Sequence, residues 1–316
     1  MRTPPLTKST QSRHRQVIPS ALRSQRVEGG RSPHPGGDAR ACTSKQAPRA
    51  DEPSLPGRGY DRRVLRLTYA TFSCDEPQRL AEFWSAVLGY EARAHRGESW
   101  EATDPLGENV SLLFNRMPKS PTIEVPIHLD VNVPDREAEV ERIVGLGARG
   151  IVETKTMSIG TLTETWTVMR DPEGNGFCVQ GPDPRKPHPY VGNVTFSSAS
   201  PRKLGAFWSG ALDWPEQDVP ADFLQMLREA HLDPDEFEAY YSTLSRDGRR
   251  PRLLFQRREK SRPESYPLHL DFASDDRESE IERLTRTGAS IVETKTNAEE
   301  TWTVMRDPEG NPFCVA

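Results

Sequence analysis

Residues 164–175 read ETWTVMRDPEGN, and the same run returns unchanged as residues 300–311. Each run is followed one residue later by Phe-Cys-Val, beginning at Phe177 and Phe313. Chance does not produce such an identity, so part of this chain is written twice. A repeat has to be recognised before a fold is assigned. Working outward, His128-Leu129-Asp130 returns as His269-Leu270-Asp271, Gly147-Ala148 as Gly288-Ala289, IVETKT from Ile151 as IVETKT from Ile291, and Phe83-Trp84 as Phe207-Trp208. The offset grows from 124 at the Phe-Trp pair to 141 at the His-Leu-Asp triplet, so copy two carries 17 extra residues between them. They fall around 221–244, where Phe223, Leu227, Phe237 and Tyr241 recur at near-helical spacing and predict one or two short helices. After Thr156 the offset drops to 136, the mark of a loop shortened in copy two.

Within a copy the pattern alternates between periods of two and 3.6. Leu67–Cys74 alternates as a strand, and a helix follows from Pro77, a residue suited to a first helical turn, with Leu80, Phe83, Trp84 and Val87 on one face until Gly89. Strands are predicted at Trp100–Thr103, Val110–Asn115 and Ile127–Val133, then a helix over Asp135–Leu146 ended by Gly147. Strands follow at Ile151–Lys155, Thr165–Arg170 and Phe177–Gln180. Between the last two lies a DPEGN turn, in which Pro172 presets φ and Gly174 supplies a positive φ. Each copy is thus two strand-helix-strand modules, and copy two repeats the scheme from Val191 to Val315.

Charge divides the chain. Residues 1–63 hold 13 Lys or Arg against 5 Asp or Glu, a net of +8, whereas the rest holds 29 basic and 42 acidic residues, a net of −13. An acidic body does not present the clustered cations that nucleic-acid binding draws on, so no nucleic-acid partner is expected. The tail is Arg-rich and has no acid before Glu28, as in an organelle transit peptide, but it lacks an amphipathic face. Rich in Pro and Gly, it reads as a disordered basic segment, and a start of translation near Val64 is a further reading. The globular body divides into residues 64–182 and 190–316. Cys42, Cys74, Cys178 and Cys314 show no CxxC spacing, which suits a reduced, cytoplasmic setting. No apolar run approaches the ~18 residues of a membrane span, so no membrane partner is expected. Two domains fused in one chain suit a monomer.

These residues resemble the vicinal oxygen chelate superfamily, the glyoxalase/bleomycin-resistance/dioxygenase group, and within it the tandem glyoxalase-like domains. The resemblance rests on the Phe-Trp helix ending in Leu88-Gly89-Tyr90, the His-Leu-Asp strand, the Gly-Ala after the second helix and the terminal DPEGNxFCV, recurring in the same order in both copies. It implies an α+β fold in which paired βαβββ modules curl into an open bowl that binds ligand. Metal-using members hold four concave-face ligands, and only the third, the His that opens the His-Leu-Asp strand, is kept here. Tyr69 and Asn193 stand at the first position, Cys178 and Cys314 at the last, and neither Ser111–Asn115 nor Arg252–Gln256 offers an acid. No cofactor is therefore assigned, and a divalent metal has only His128 with Cys178, or His269 with Cys314, as weak candidate ligands, short of the three that a stable site needs.

Strand alternation names the lining of a bowl in each copy, because residues two apart share a face. Tyr69 and Thr71, with His128, Asp130 and Asn132, are expected on the open side of the first, and Asn193 and Thr195, with His269 and Asp271, on that of the second. The His-x-Asp spacing suits either a carboxylate orienting an imidazole or a plain hydrogen-bonded pair. Trp166 and Trp302 either stack on a flat ligand or fill core, whereas Trp84 and Trp208 lie on helical core faces. Cys178 and Cys314 read as small hydrophobes or as nucleophiles or metal ligands. The expected function is binding of a small molecule without an obligatory metal. The alternatives are a metal-dependent lyase, isomerase or dioxygenase, and an interaction module that uses its sheet edges.

Overall fold

The computed structural model describes residues 65–117, 126–159, 162–181, 186–216, 221–229, 231, 240–243, 251–257 and 266–316. The basic tail, residues 1–63, lies outside them. Four modules follow one another. The first holds β1 (Arg66–Cys74), α1 (Pro77–Leu88), β2 (Glu91–Ala94), β3 (Trp100–Thr103) and β4 (Ser111–Arg116). The second holds β5 (Ile127–Asn132), α2 (Arg136–Gly145), β6 (Ile151–Ile159), β7 (Leu162–Arg170) and β8 (Gly176–Gly181). The third holds β9 (Tyr190–Ser198), α3 (Pro201–Leu212), α4 (Ala221–Glu229), β10 (Tyr240–Thr243) and β11 (Arg252–Arg257). The last holds β12 (Leu268–Ala273), α5 (Arg277–Arg286), β13 (Ser290–Thr296), β14 (Thr301–Arg306) and β15 (Pro312–Val315). The architecture is α+β, with two open sheets. No helix among the described residues is long and apolar enough to cross a membrane.

The repeat does not reveal which modules share a sheet. One sheet runs β13-β14-β15-β12-β1-β4-β3-β2 and the other β10-β11-β9-β5-β8-β7-β6. The first module therefore joins the last across an antiparallel β1–β12 seam, and the second joins the third across β5–β9. A bowl drawn inside one copy is corrected accordingly: Thr71 stands opposite His269 and Tyr69 opposite Asp271, while Thr195 faces His128 and Asn193 faces Asp130. The seam strands of the two copies carry the same polar and apolar pattern, so their edges are chemically interchangeable and the repeat alone cannot choose between pairings.

The hydrophobic core, by contrast, ties each copy to itself. Trp84 on α1 is 1% exposed, with its ring centroid 5.6 Å from Phe72 of one sheet and 5.0 Å from Phe177 of the other. Trp208 on α3 repeats this, 6.0 Å from Phe196 and 5.1 Å from Phe313. Both tryptophans are core, as their helical spacing implies, and Ala70, Phe72 and Cys74 turn inward with them. The insertion departs from its helical expectation. α4 keeps Leu227 buried, but Tyr241 lies in strand β10, paired with Phe255 of β11, and Phe237 lies outside the described residues. A strand edge that needs hydrogen bonds overrides a weak local period there.

The DPEGN turns do more than reverse the chain. Glu173 accepts the backbone N–H groups of Asp75 at 3.0 Å and Glu76 at 2.8 Å, just before α1. Glu309 accepts Ala199 N–H at 2.9 Å, Ser200 N–H at 2.8 Å and the Ser198 hydroxyl at 2.8 Å before α3. Neither helix receives a hydrogen bond from its own N-cap side chain, so these distant carboxylates satisfy N–H groups that a helix leaves unpaired and complement its positive end. The opposite ends are held by arginines. Arg142 donates to the carbonyls of Ala86 and Val87, and Arg283 to those of Gly210 and Ala211.

Glu309→Ala is expected to lower stability by about 1–2 kcal/mol, in the range of a lost helix cap, with Glu309→Gln losing less; urea unfolding measures both. A pH effect comes from Asp307, which is buried beside Trp208 and accepts its indole N–H at 3.2 Å. Burial outweighs the hydrogen bonds from Asn311, Trp208 and Glu309, and its pKa is raised from 3.8 to about 6. The folded state then holds a proton that the unfolded chain has lost, so this contribution weakens as pH rises from about 4 to about 6. Wild-type stability relative to Asp307→Asn should fall across that window and level off above it.

Candidate functional site

The open face of the larger sheet lines a hollow of about 1080 Å³. Tyr69, His269, Asp271, Trp302 and Cys314 line it, together with Leu113 and Val304. Strand pleating explains this choice: on β12 the apolar Leu268, Leu270 and Phe272 are buried while His269 and Asp271 are part exposed, and parallel pairing sets Cys314 of β15 beside Asp271. Because the seam joins the two copies, neither copy alone supplies this floor.

Two polar networks stand on it. In the first, Thr71, which is 0% exposed, donates its hydroxyl to Asp271 Oδ2 at 2.6 Å. His269 Nε2 lies 3.1 Å from Asp271 Oδ1, yet that oxygen is buried and receives no hydrogen bond. Burial pushes the Cys314 thiol up, reinforced by the Asp271 carboxylate beside it, so a neutral thiol faces the hollow. A raised thiol is a poor nucleophile. The second network centres on Glu101, 3% exposed on β3. It accepts from Tyr69 Oη at 2.9 Å and from Arg93, with His95 Nδ1 at 3.1 Å. Burial alone would push Glu101 up, but the hydrogen bonds from Arg93 and Tyr69 and the His95 charge hold it below the usual carboxylate range. Burial and the bond to Glu101 raise Tyr69 to about 12.

The smaller sheet repeats the first network with different neighbours. Asp130 Oδ2 accepts from Asn193 at 2.6 Å and from Thr195 at 2.9 Å, and His128 Nε2 lies 3.4 Å from Oδ1. Arg252, 8% exposed, donates from Nη2 to Asn193 Oδ1 at 3.0 Å. Burial disfavours an imidazolium at His128, but Cys178 and the Asp130 carboxylate beside it prevail and push its pKa up. Burial pushes the Cys178 thiol up as well. Trp166 is 6% exposed, whereas Trp302 lines the hollow of the larger sheet. Asn193 and Thr195 are fully buried and buttress Asp130 from within, and Asn132 is buried as well.

Sequence reasoning missed Glu101, Arg93, His95 and Arg252. Glu101 carried a readable signal. It sits between Trp100 and Ala102, and Ala102 is 0% exposed, so a period of two turns Glu101 to the open face opposite Leu113. The acid sought on β4 lies one strand away on β3.

A family model described as glyoxalase-like domain matches residues 69–180 and again 193–316. The chain belongs to this family. Its glyoxalase-like repeats also resemble solved structures. Glyoxalase I from Zea mays is 13% identical with a TM-score of 0.55, over 80% of this chain and 92% of that one. A single-residue variant of the maize protein reaches a TM-score of 0.58 at 15% identity, over 80% and 92% of the two chains. At such identities the likeness concerns the fold. No curated protein matches the sequence.

Glyoxalase-like folds imply a divalent metal, and the donor chemistry of this chain tests that. Tyr69 and Asn193 occupy the first-strand positions, their groups committed to Glu101 and to Asp130, so the ligand set that spans two modules is not assembled. A different set is present. His269, Asp271 and Cys314 bring one N, one O and one S within 4.8 Å of one another, and His128, Asp130 and Cys178 do the same. These residues fit a borderline-soft cation, and the aspartates are the third ligand that the sequence did not name.

If Glu101 sets the ionisation of Tyr69, Glu101→Gln removes that contribution and leaves burial. An ultraviolet pH titration of wild type against variant should show one tyrosine moving down from about 12.

Proposed function

We propose that this chain binds a small organic molecule in the hollow of the larger sheet, in the manner of glyoxalase/bleomycin-resistance proteins and without needing a metal to hold it. The observation that carries the reading is a hollow of about 1080 Å³ with an aromatic and aliphatic wall of Trp302, Leu113 and Val304 and hydrogen-bonding groups at Tyr69 and His269. Mixed linings of this size suit ligands with a flat apolar body and a few polar substituents. The networks beneath are satisfied largely by the protein itself, with Thr71 fixing Asp271 and Arg93 fixing Glu101, which makes a rigid floor. Trp302 supplies a stacking surface, and Tyr69 orients polar groups. A metal-dependent lyase, isomerase or dioxygenase is the second reading, and the His-Asp-Cys cluster is what favours it. That none of Cys74, Cys178 and Cys314 forms a disulfide supports a cytoplasmic setting.

Thermal-shift screening of chelator-treated protein against aromatic and carbonyl-bearing metabolites tests this. A binder should raise the melting temperature and quench tryptophan fluorescence. Trp302→Ala should weaken it about tenfold, the ~1.4 kcal/mol of a lost aromatic contact, while Trp166→Ala leaves the affinity of correctly folded protein unchanged. Binding that appears only after metal is restored would refute the metal-free reading.

A further inference from the structure

We infer that His269, Asp271 and Cys314 form a binding site for a borderline-soft divalent cation such as Zn²⁺, built entirely from β12 and β15. His269 and Asp271 share one face of β12 at a spacing of two, and β15 runs parallel beside it with Cys314 in register with Asp271. Imidazole nitrogen, carboxylate oxygen and sulfur then lie within 4.8 Å of one another. Thr71 fixes one oxygen of Asp271 at 2.6 Å and so aims the other. That other oxygen, Oδ1, is buried without a hydrogen bond, 3.1 Å from His269 Nε2. A buried carboxylate oxygen without a well-formed hydrogen bond is costly, and a bound cation removes the cost.

The donor types set the metal. Mg²⁺ and Ca²⁺ take oxygen ligands, whereas a thiolate with an imidazole selects Zn²⁺ or Co²⁺. Three protein ligands leave a position open, and all three residues line the hollow, so that position faces whatever occupies it. On binding, the Cys314 thiol releases its proton to solvent and sulfur becomes the ligand. The set differs from the one the family resemblance implies, because no ligand comes from β1 or β4 and Asp271 completes it. The matching cluster at His128 has an Asp130 whose Oδ2 already accepts from both Asn193 and Thr195, and it serves as an internal comparison.

Cobalt reports on this directly. Metal-free full-length protein titrated with Co²⁺ should develop a thiolate-to-cobalt charge-transfer band that one equivalent of Zn²⁺ abolishes. In a Cys178→Ser background, which removes the sulfur of the matching cluster, Cys314→Ser should remove the band, and Asp271→Asn should weaken Zn²⁺ at least tenfold in competition with a chelating dye. Cys178→Ser should leave the band in place. Circular dichroism and melting of the metal-free variants check that the fold persists. Cobalt binding without the band, a band that survives Cys314→Ser in the Cys178→Ser background, or no cobalt uptake by folded wild type would each overturn the site. None of these readings involves an organic ligand, so the site and the ligand-binding reading stand or fall separately.

Discussion

Everything in this molecule depends on two antiparallel seams, β1 against β12 and β5 against β9, that stitch one copy of the repeat to the other. Backbone hydrogen bonds have to be completed somewhere, and an exposed strand edge is a liability. Pairing the copies removes an edge from each of four modules. The same pairing brings threonine or asparagine from one copy onto an aspartate of the other, so the polar floor of each sheet is a contact between copies.

The helices work in the opposite sense. Trp84 and Trp208 each reach aromatic rings of both sheets within their own copy, and Glu173 and Glu309 cap the helix of the module that precedes them. Core packing therefore binds a copy to itself while sheet pairing binds it to its partner. The two systems cross each other and give the hollow a floor braced from below.

The two sheets have diverged where ligands would lie. Tyr69 and Glu101 occupy one, and Asn193 and Arg252 the other, around the same His-x-Asp and cysteine. An acid held low and a tyrosine held high suit a pre-organised hydrogen-bonding wall on the larger sheet. On the smaller sheet the buried Arg252 donates to Asn193, where the larger sheet has Tyr69 against Glu101.

Much of this was legible in the chain. Identity of residues 164–175 with 300–311 establishes the duplication, and alternation of Leu268, Leu270 and Phe272 with His269 and Asp271 separates the buried from the open face because a pleated strand has a period of two. Phe-Trp spacing likewise marks the helical core. The third donor of each cluster was present in the sequence as Asp130 and Asp271, but spacing alone does not show that a cysteine on another strand stands beside it. Glu101 went unrecognised because its role comes from strand register, not from any motif. Above all, the sequence specifies modules and faces through local periodicity, whereas the choice of which modules share a sheet belongs to tertiary structure. Duplicated strands offer chemically equivalent edges, and only the path of the chain through space distinguishes them.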